Sequence, residues 1–189
     1  MEELVKFTLL LCDRQDYLVD RYSERKESAE ELSARVNQRS IWSILFMVNW
    51  LFKSVIQEES TGCGIAAVAN ILGKTYAQMK VIANAMGIDA TDTSLWSDTQ
   101  YVRRMLASAG VATSADEIPF TSWDALPELA LLSIKHHREG DKDFWHWVVF
   151  KRLDGQPVVL DSASYLPSNT RTDFEAMQPK WFITVHNSQ

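Results

Sequence analysis

The chain has 189 residues, of which 46% are hydrophobic and 23% charged, and it carries a net charge of −6. This composition excludes disordered and fibrous classes and fits one ordinary globular domain with an appendage. The acidic balance argues against a nucleic-acid partner, which would require clustered Lys and Arg. The two cysteines, Cys12 and Cys63, are too few for a secreted disulfide scaffold.

The first segment, "MEELVKFTLLLCDRQ", lacks the basic region and small-residue cleavage site of a signal peptide. We therefore expect a cytoplasmic protein, or one exported without a cleaved signal peptide. The apolar segment "IWSILFMVNWLFKSVI", residues 41–56, is interrupted by Ser43, Asn49 and Lys53. It is also shorter than the roughly 20 residues that cross a bilayer. The sequence thus predicts a buried core helix here and no membrane span.

Residues 1–56 are predicted to form an N-terminal helical extension, ahead of a domain at 57–189. The stretch "SERKESAEELSARVNQR" contains no Gly or Pro and is rich in good helix formers. Its apolar stripe is thin, with Ala29, Leu32 and Val36 at helical spacing. Such a helix needs a surface to dock on, which the rest of the chain, a partner or a second copy can provide.

From Ser60 onward the pattern gives helices first and strands later. "GCGIAAVANILG", "TYAQMKVIANAMG" and "SDTQYVRRMLASAG" are predicted helices, the second capped by Thr75 and the third by Ser97 or Asp98. "LALLSIKHH", "FWHWVVFKRL", "QPVVLDSA" and "WFITVH" are predicted strands. Helices followed by a run of strands indicate an α+β fold, with the helices packed on an antiparallel sheet.

Cys63 stands between Gly62 and Gly64 at the start of the first of these helices. Free backbone N–H groups and the helix dipole favour a thiolate at that position. The flanking glycines would let a substrate backbone approach closely. A small buried cysteine in a Gly/Ala-rich helix is the common structural alternative.

A nucleophilic cysteine needs a base, and His146 is the candidate because it lies within an apolar strand. The pair Asp154-Gly155 predicts a two-residue hairpin turn, which places Val148 opposite Asp161. His146 and Asp161 then become diagonal neighbours on one face, about 7–8 Å apart. A one-residue slip would put them on opposite faces. A structural His–Asp pair remains the alternative.

The segments "QEESTGCGIAAVANILG" and "HWVVFKRLDGQPVVLDSA" resemble the double-glycine peptidases. These papain-like cysteine proteases are best known as the front domain of bacteriocin-exporting ABC transporters and also occur as stand-alone domains. Gln57, Cys63, Gly64, His146 and Asp161 match the family pattern in order and spacing. The resemblance covers residues 57 to 165.

The chain departs from the bacteriocin-processing members at two positions. Gly62 stands where they usually have Asp, and Ser162 stands where Pro is usual. Both departures place the chain nearer the stand-alone members, whose substrates vary.

The resemblance implies a papain-like fold, a peptide or protein substrate, no cofactor and a catalytic triad. Cys63 would be the nucleophile, His146 the general acid and base, and Asp161 the group that orients the imidazole. Gln57 would donate to the oxyanion together with the Cys63 backbone N–H.

Other polar groups carry weaker hypotheses. His136, His137, Asp141 and His146 match no standard metal-site spacing, so no metal is expected. Glu58 and Glu59 either bias the cleft towards basic substrates or form a solvated turn.

Two further function classes stay open at this level. The same triad could transfer the acyl group to an amine or attack a glutamine side chain. The protein would then be an acyltransferase, transglutaminase or deamidase, as in many bacterial effector toxins. A non-catalytic binding module on the papain-like scaffold is the other class, although an intact triad argues against it.

Overall fold

The computed structural model describes residues 54–153 and 155–186. The predicted helix around "SERKESAEELSARVNQR" lies outside the described residues, as does nearly all of the predicted core helix at 41–56. The last three residues of that segment, 54–56, are not helical. Ser54 Oγ donates a hydrogen bond to the carbonyl of Asp161 (3.1 Å), and Val55 N–H donates to Asn70 Oδ1 (2.8 Å). These residues therefore contact the region assigned to the second domain, and the boundary at residue 57 stays a prediction.

The described region is α+β, as the sequence predicts, with helices first and an antiparallel sheet after them. The helices are α1 (Cys63–Leu72), α2 (Tyr76–Ala85) and α3 (Gln100–Ser108), with short 3-10 helices at Thr93–Ser97 and Phe174–Ala176. The strands are β1 (Ala112–Thr113), β2 (Ile118–Pro119), β3 (Leu129–Glu139), β4 (Lys142–Leu153), β5 (Gln156–Asp161), β6 (Thr170–Arg171) and β7 (Trp181–His186).

The helix boundaries lie within two residues of those that the sequence predicts. Gly73 takes the left-handed conformation (φ 62°) and closes α1 by donating its N–H to the carbonyl of Ala69. Thr75 and Gln78 form a reciprocal capping box at the start of α2. The predicted cap of α3 is displaced by one residue, because Thr99 occupies the N-cap position without a side-chain hydrogen bond. The Asp98 carboxylate instead accepts the Gln100 N–H at 2.7 Å.

The strands form one sheet in the order β1-β7-β3-β4-β5-β6, and β2 also pairs with β7. Strand β4 is interior, so its residues contribute to hydrophobic clusters on both faces. Trp147 and Val149 pack in the cluster that contains α1, whereas Val148 and Phe150 pack in the other cluster. The sheet is therefore covered on both sides at β4, which explains why this strand is apolar throughout.

The β4–β5 hairpin has the predicted register. Leu153 pairs with Gln156 and Val148 pairs with Asp161. Gly155 has φ 78°, the positive value that a two-residue hairpin turn requires. This register places His146 and Asp161 on the same face, at the end of the hairpin opposite the turn.

A bulge in β3 is the feature of the sheet that the sequence did not predict. The β3–β4 pairing shifts between Ile134 and His137, and Lys135 has φ 53°. The extra residue redirects the following side chains, and bulges of this kind are common beside active sites.

The displaced cap of α3 gives a first testable prediction. Asp98→Ala removes the acceptor for the Gln100 N–H, so we expect the free energy of unfolding to fall by about 1 kcal/mol. Thr99→Ala is the matched control and should lower it clearly less, because the Thr99 side chain makes no capping bond and instead contacts Glu117. Urea denaturation of both variants measures this, and an equal loss in the two would contradict the assignment of Asp98.

Candidate active site

The structure brings together the three side chains that the sequence proposed as a triad. Cys63 is the first residue of α1 and is 2% exposed, while His146 lies in β4 and Asp161 ends β5. His146 Nε2 lies 2.7 Å from Asp161 Oδ1, and His146 and Cys63 line the same depression, where Cys63 interacts electrostatically with the ring. Because Nε2 is taken by the carboxylate, Nδ1 is the nitrogen left for the thiol. The catalytic role of these residues stays a prediction.

Asp161 is completely buried, and both oxygens of its carboxylate accept hydrogen bonds. Oδ1 also accepts the Ala163 N–H at 3.1 Å, and Oδ2 accepts from Arg171 Nη1 at 3.0 Å. Burial raises the pKa of Asp161, but the hydrogen bonds with His146, Ala163 and Arg171 outweigh burial and lower this pKa below its ordinary value. The group is therefore ionised at neutral pH. No sequence pattern indicates Arg171, which lies on a two-residue strand.

His146 is held as an imidazolium by its partners. Burial lowers the pKa of His146, because a charged ring is poorly solvated inside the protein. The hydrogen bond with Asp161 and the charges of Asp161 and Cys63 act in the opposite direction and raise this pKa to about 9. An imidazolium beside a thiol is the arrangement that lets the sulfur carry negative charge.

Gln57, predicted to donate to an oxyanion, makes different contacts. Its Nε2 donates to the carbonyls of Glu59 (2.9 Å) and Ser60 (3.1 Å), and its Oε1 accepts from Ser162 Oγ (2.8 Å). Its backbone N–H donates to the carbonyl of Ser162 (3.0 Å). Gln57 thus braces the loop before Cys63, and an oxyanion contact would require its amide to turn away from these carbonyls.

The first turn of α1 offers other donors for an oxyanion. The N–H groups of the first turn of a helix have no intrahelical partner, and here they belong to Cys63 and its neighbours. The helix dipole also favours negative charge at this end of the helix. A substrate oxyanion could be stabilised by these groups without any movement of Gln57.

The Glu59 carboxylate has two partners within the protein. It accepts a hydrogen bond from Tyr76 Oη at 2.6 Å and pairs with Lys80. These two partners tie the loop to α2. Both Glu58 and Glu59 line a surface depression beside His146.

The glycines around Cys63 are required for packing, and their expected role in the approach of a substrate stays a prediction. A Cβ atom on Gly62 would lie 2.0 Å from the Tyr76 hydroxyl oxygen. A Cβ atom on Gly64 would lie 1.9 Å from the Tyr101 hydroxyl oxygen. Real Cβ atoms do not approach other atoms this closely, so both positions must be glycine for the two tyrosines to reach the start of α1.

Two depressions of about 320 Å³ each adjoin at His146 and Ser60. The first, lined by polar residues, also contains Gln57, Glu58, Glu59, Ala163, Ser164 and Tyr165. The second, the aromatic depression, also contains Cys63, Trp96, Lys135, His137, Glu139, Phe144 and Trp145. The edge-to-face pair of Trp96 and Phe144, with ring centroids 6.3 Å apart, forms part of its wall. The β3 bulge places Lys135 at this depression, where its ammonium also contacts the Tyr165 hydroxyl.

The other histidines of β3 have acidic neighbours of their own. His136 Nε2 lies 3.4 Å from Asp143 Oδ1, and His137 Nε2 lies 3.4 Å from Glu139 Oε1. Within residues 54–153 and 155–186, no group of three or more His, Cys, Asp or Glu side chains is arranged to hold a metal ion. None of the helices that the structure describes has the length and apolar character needed to cross a membrane.

Comparison with known proteins gives short or distant similarities. No protein-family model matches the chain. A stretch of 41 residues is 73% identical to the NADPH-dependent FMN reductase ArsH of Acidithiobacillus ferrooxidans and 68% identical to that of Rhizobium meliloti. The stretch covers 22% of this chain and 17% of each relative, so the chain spans about a sixth of the length of the curated relatives it matches.

Among solved structures, the chain is similar to a double glycine motif protease from an AMS/PCAT transporter, crystallised in complex with the leader peptide. The sequences are 15% identical, and the match covers 70% of this chain and 89% of that chain with a TM-score of 0.45. At this identity and TM-score, the similarity does not determine the chemistry of the site.

The clash at Gly62 gives a second prediction. Gly62→Ala should lower the free energy of unfolding by about 1–3 kcal/mol, because the Tyr76 ring must move to admit the methyl group. In a Tyr76→Phe background the hydroxyl oxygen is gone, and the same substitution should cost clearly less. Chemical denaturation of the four proteins of this double-mutant cycle provides the test. An equal cost in both backgrounds would show that Tyr76 is not the obstacle.

The His146–Asp161 pair gives a third prediction, on stability against pH. The pKa of His146 is 6.5 when unperturbed and about 9 in the folded protein. Its stabilising contribution is therefore fully present below pH 6.5 and is lost as pH rises through about 9. We expect the wild type to lose on the order of 2 kcal/mol across this window through this group.

Asp161→Asn is the control for this effect, because it removes the negative charge that raises the pKa of His146. The difference in unfolding free energy between pH 6 and pH 9.5, measured by urea denaturation, should be much smaller in this variant than in the wild type. Identical differences in the two proteins would contradict the coupling of His146 to Asp161.

Proposed function

We propose that the protein is a papain-like cysteine hydrolase that cleaves amide bonds of a peptide or protein through a thioacyl-enzyme. The observation that carries this proposal is the position of His146, which hydrogen-bonds a buried carboxylate and lines the same depression as Cys63. A cysteine, a histidine and a carboxylate in this arrangement are typical of nucleophilic catalysis, whatever their order in the sequence. We do not assign the reductase activity of the ArsH proteins to this chain, because the matched stretch covers only 17% of each of them.

In the first half of the proposed reaction, the Cys63 thiolate attacks the substrate carbonyl carbon and forms a tetrahedral intermediate. The N–H groups of the first turn of α1 stabilise the oxyanion, and losing one such donor typically costs about 3–4 kcal/mol of transition-state stabilisation. Collapse of the intermediate breaks the C–N bond. The His146 imidazolium gives its proton to the departing amine, and a thioester remains on Cys63.

In the second half, His146 is neutral and acts as a general base. It takes a proton from water, and the resulting hydroxide attacks the thioester carbonyl. The C–S bond then breaks, the acid is released, and the thiolate–imidazolium pair is restored. Asp161 keeps the proton of the neutral ring on Nε2, so that Nδ1 remains free to accept the proton of water.

The two depressions beside His146 support a peptide as the substrate. The aromatic depression contains Cys63 and offers Trp96, Phe144 and Trp145 to an apolar side chain near the attacked carbonyl. The polar depression adjoins it at His146 and Ser60 and can hold the chain beyond the scissile bond. A deamidase or acyltransferase would share every step up to the thioester. Product analysis separates them, because hydrolysis of a peptide bond creates a new amino terminus.

We also propose a reducing compartment, because the reaction needs a free thiol, and a catalytic domain within residues 57–189. The helical extension is proposed to engage a partner or a second copy. Neither nucleic acid nor a membrane has a role in this proposal.

The fourth prediction tests activation of Cys63 without requiring a known substrate. In a Cys12→Ala background, iodoacetamide should label Cys63 rapidly below pH 7, as followed by intact mass. His146→Ala should abolish this fast labelling or move it to alkaline pH, because the imidazolium that supports the thiolate is gone. Cys63→Ala in the same background is the control and should take up no label.

Slow labelling of Cys63 that is unaffected by His146→Ala would contradict the proposed ion pair. Once a cleaved peptide is known, Cys63→Ala and His146→Ala should each abolish turnover, whereas Cys12→Ala should leave it nearly intact. Equal turnover by Cys63→Ala and the wild type would exclude the proposed nucleophile.

A further inference from the structure

Arg171, on the short strand β6, contacts the proposed triad from the side opposite His146. Its Nη1 donates to Asp161 Oδ2 at 3.0 Å, while His146 occupies Oδ1. The Arg171 side chain is only 11% exposed. A buried carboxylate is thus shared between two cations, of which one is permanent and the other can lose its proton.

The guanidinium is itself fixed by a second acid. Arg171 Nε donates to Asp173 Oδ1 at 2.9 Å, and Nη2 donates to Asp173 Oδ2 at 2.7 Å. This is the two-point contact that matches the planar guanidinium to a carboxylate and restricts its orientation. The direction in which Nη1 points at Asp161 is therefore determined by Asp173.

The same segment also holds the backbone of Asp161. Asn169 Nδ2 donates to the carbonyls of Asp161 and Ala163, both at 2.7 Å. The N–H of Asp161 in turn donates to the Asn169 carbonyl at 2.9 Å. Residues 169–171 thus hold both the backbone and the carboxylate of Asp161, so that the carboxylate cannot rotate without breaking a charged hydrogen bond.

We propose that Arg171 is a positioning residue that extends the triad to a four-residue unit. By holding Oδ2, it keeps Oδ1 directed at His146 Nε2 and thereby keeps the ring proton on that nitrogen. By offsetting part of the charge of Asp161, it sets the pH at which His146 loses its proton. The inference rests on the proposed function for its catalytic meaning, but its electrostatic content can be tested without turnover.

Several charged groups around His146 also influence the pH at which it loses its proton. Asp161 hydrogen-bonds to it, Cys63 interacts with it electrostatically, and Arg171 acts through Asp161. The titratable groups that line the two depressions around it are Glu58, Glu59, Lys135, His137, Glu139 and Tyr165. These line open depressions, where water screens their charges more than those of the buried Arg171.

The fifth prediction uses NMR titration of His146 in the full chain, with histidine labelled at the ring carbons. The Cys63→Ala background removes the thiol, and His146→Gln assigns the signal. Arg171→Gln should raise the midpoint of the His146 titration by about 0.5–1 pH unit, because a nearby positive charge is lost. The chemical shifts of the neutral ring should also change from a single tautomer to a mixture.

Two matched variants separate charge from packing. Arg171→Lys keeps the cation and should return the midpoint towards that of the parent. Asp173→Asn leaves the Arg171 cation unopposed and should lower the midpoint by a smaller amount. Should Arg171→Gln fail to fold, as judged by thermal unfolding, the sign of the Asp173→Asn shift decides. An unchanged or raised midpoint in that variant would overturn the proposal.

For a folded Arg171→Gln protein, an unchanged midpoint and a single tautomer would also overturn the proposal and leave Arg171 with a packing role. The labelling of Cys63 separates this failure from a failure of the proposed function. Fast labelling of the wild type combined with an unchanged midpoint would refute only the role of Arg171. Slow labelling combined with a shifted midpoint would refute the hydrolase and leave the electrostatic coupling in place.

Discussion

The candidate site depends on the hydrogen bond between His146 and Asp161. Because the Asp161 carboxylate is completely buried, the surrounding structure must stabilise its charge. An unpaired charge in the interior costs several kcal/mol, so the buried Asp161 carboxylate must be paired with a cation and hydrogen-bonded. His146, Arg171 and the Ala163 N–H supply these partners. The orientation of the imidazole therefore requires three features of the fold together, namely the β4–β5 register, the end of β5 and the segment 169–171.

The loop that leads into α1 obeys a second constraint, which is steric. Tyr76 and Tyr101 approach so closely that the residues on either side of Cys63 can carry no side chain. Gln57, Ser162 and Glu59 hold the loop through hydrogen bonds to its backbone and to α2. The position of the thiol is thus set by contacts from α2, α3 and β5 together. Ser162 takes part in this bracing through its hydrogen bond with Gln57.

Sequence reasoning succeeded where short-range rules govern the chain. The Gly73 stop, the Thr75 cap and the β4–β5 register each follow from local backbone geometry, and the structure has all three. It failed where several elements meet. The β3 bulge, the contacts of Gln57 and the presence of Arg171 beside Asp161 each depend on residues that are distant in the chain.

The sequence by itself determined the α+β order of elements and the pairing of His146 with Asp161, because the period of side chains along a strand and the two-residue turn leave one register. Only the tertiary structure decided how that pair is completed. The thiol of Cys63 reaches His146 from a helix more than half the domain away in sequence, and Arg171 reaches Asp161 from a strand too short to carry a pattern. Such contacts arise from the packing of elements, for which no local rule of the chain exists.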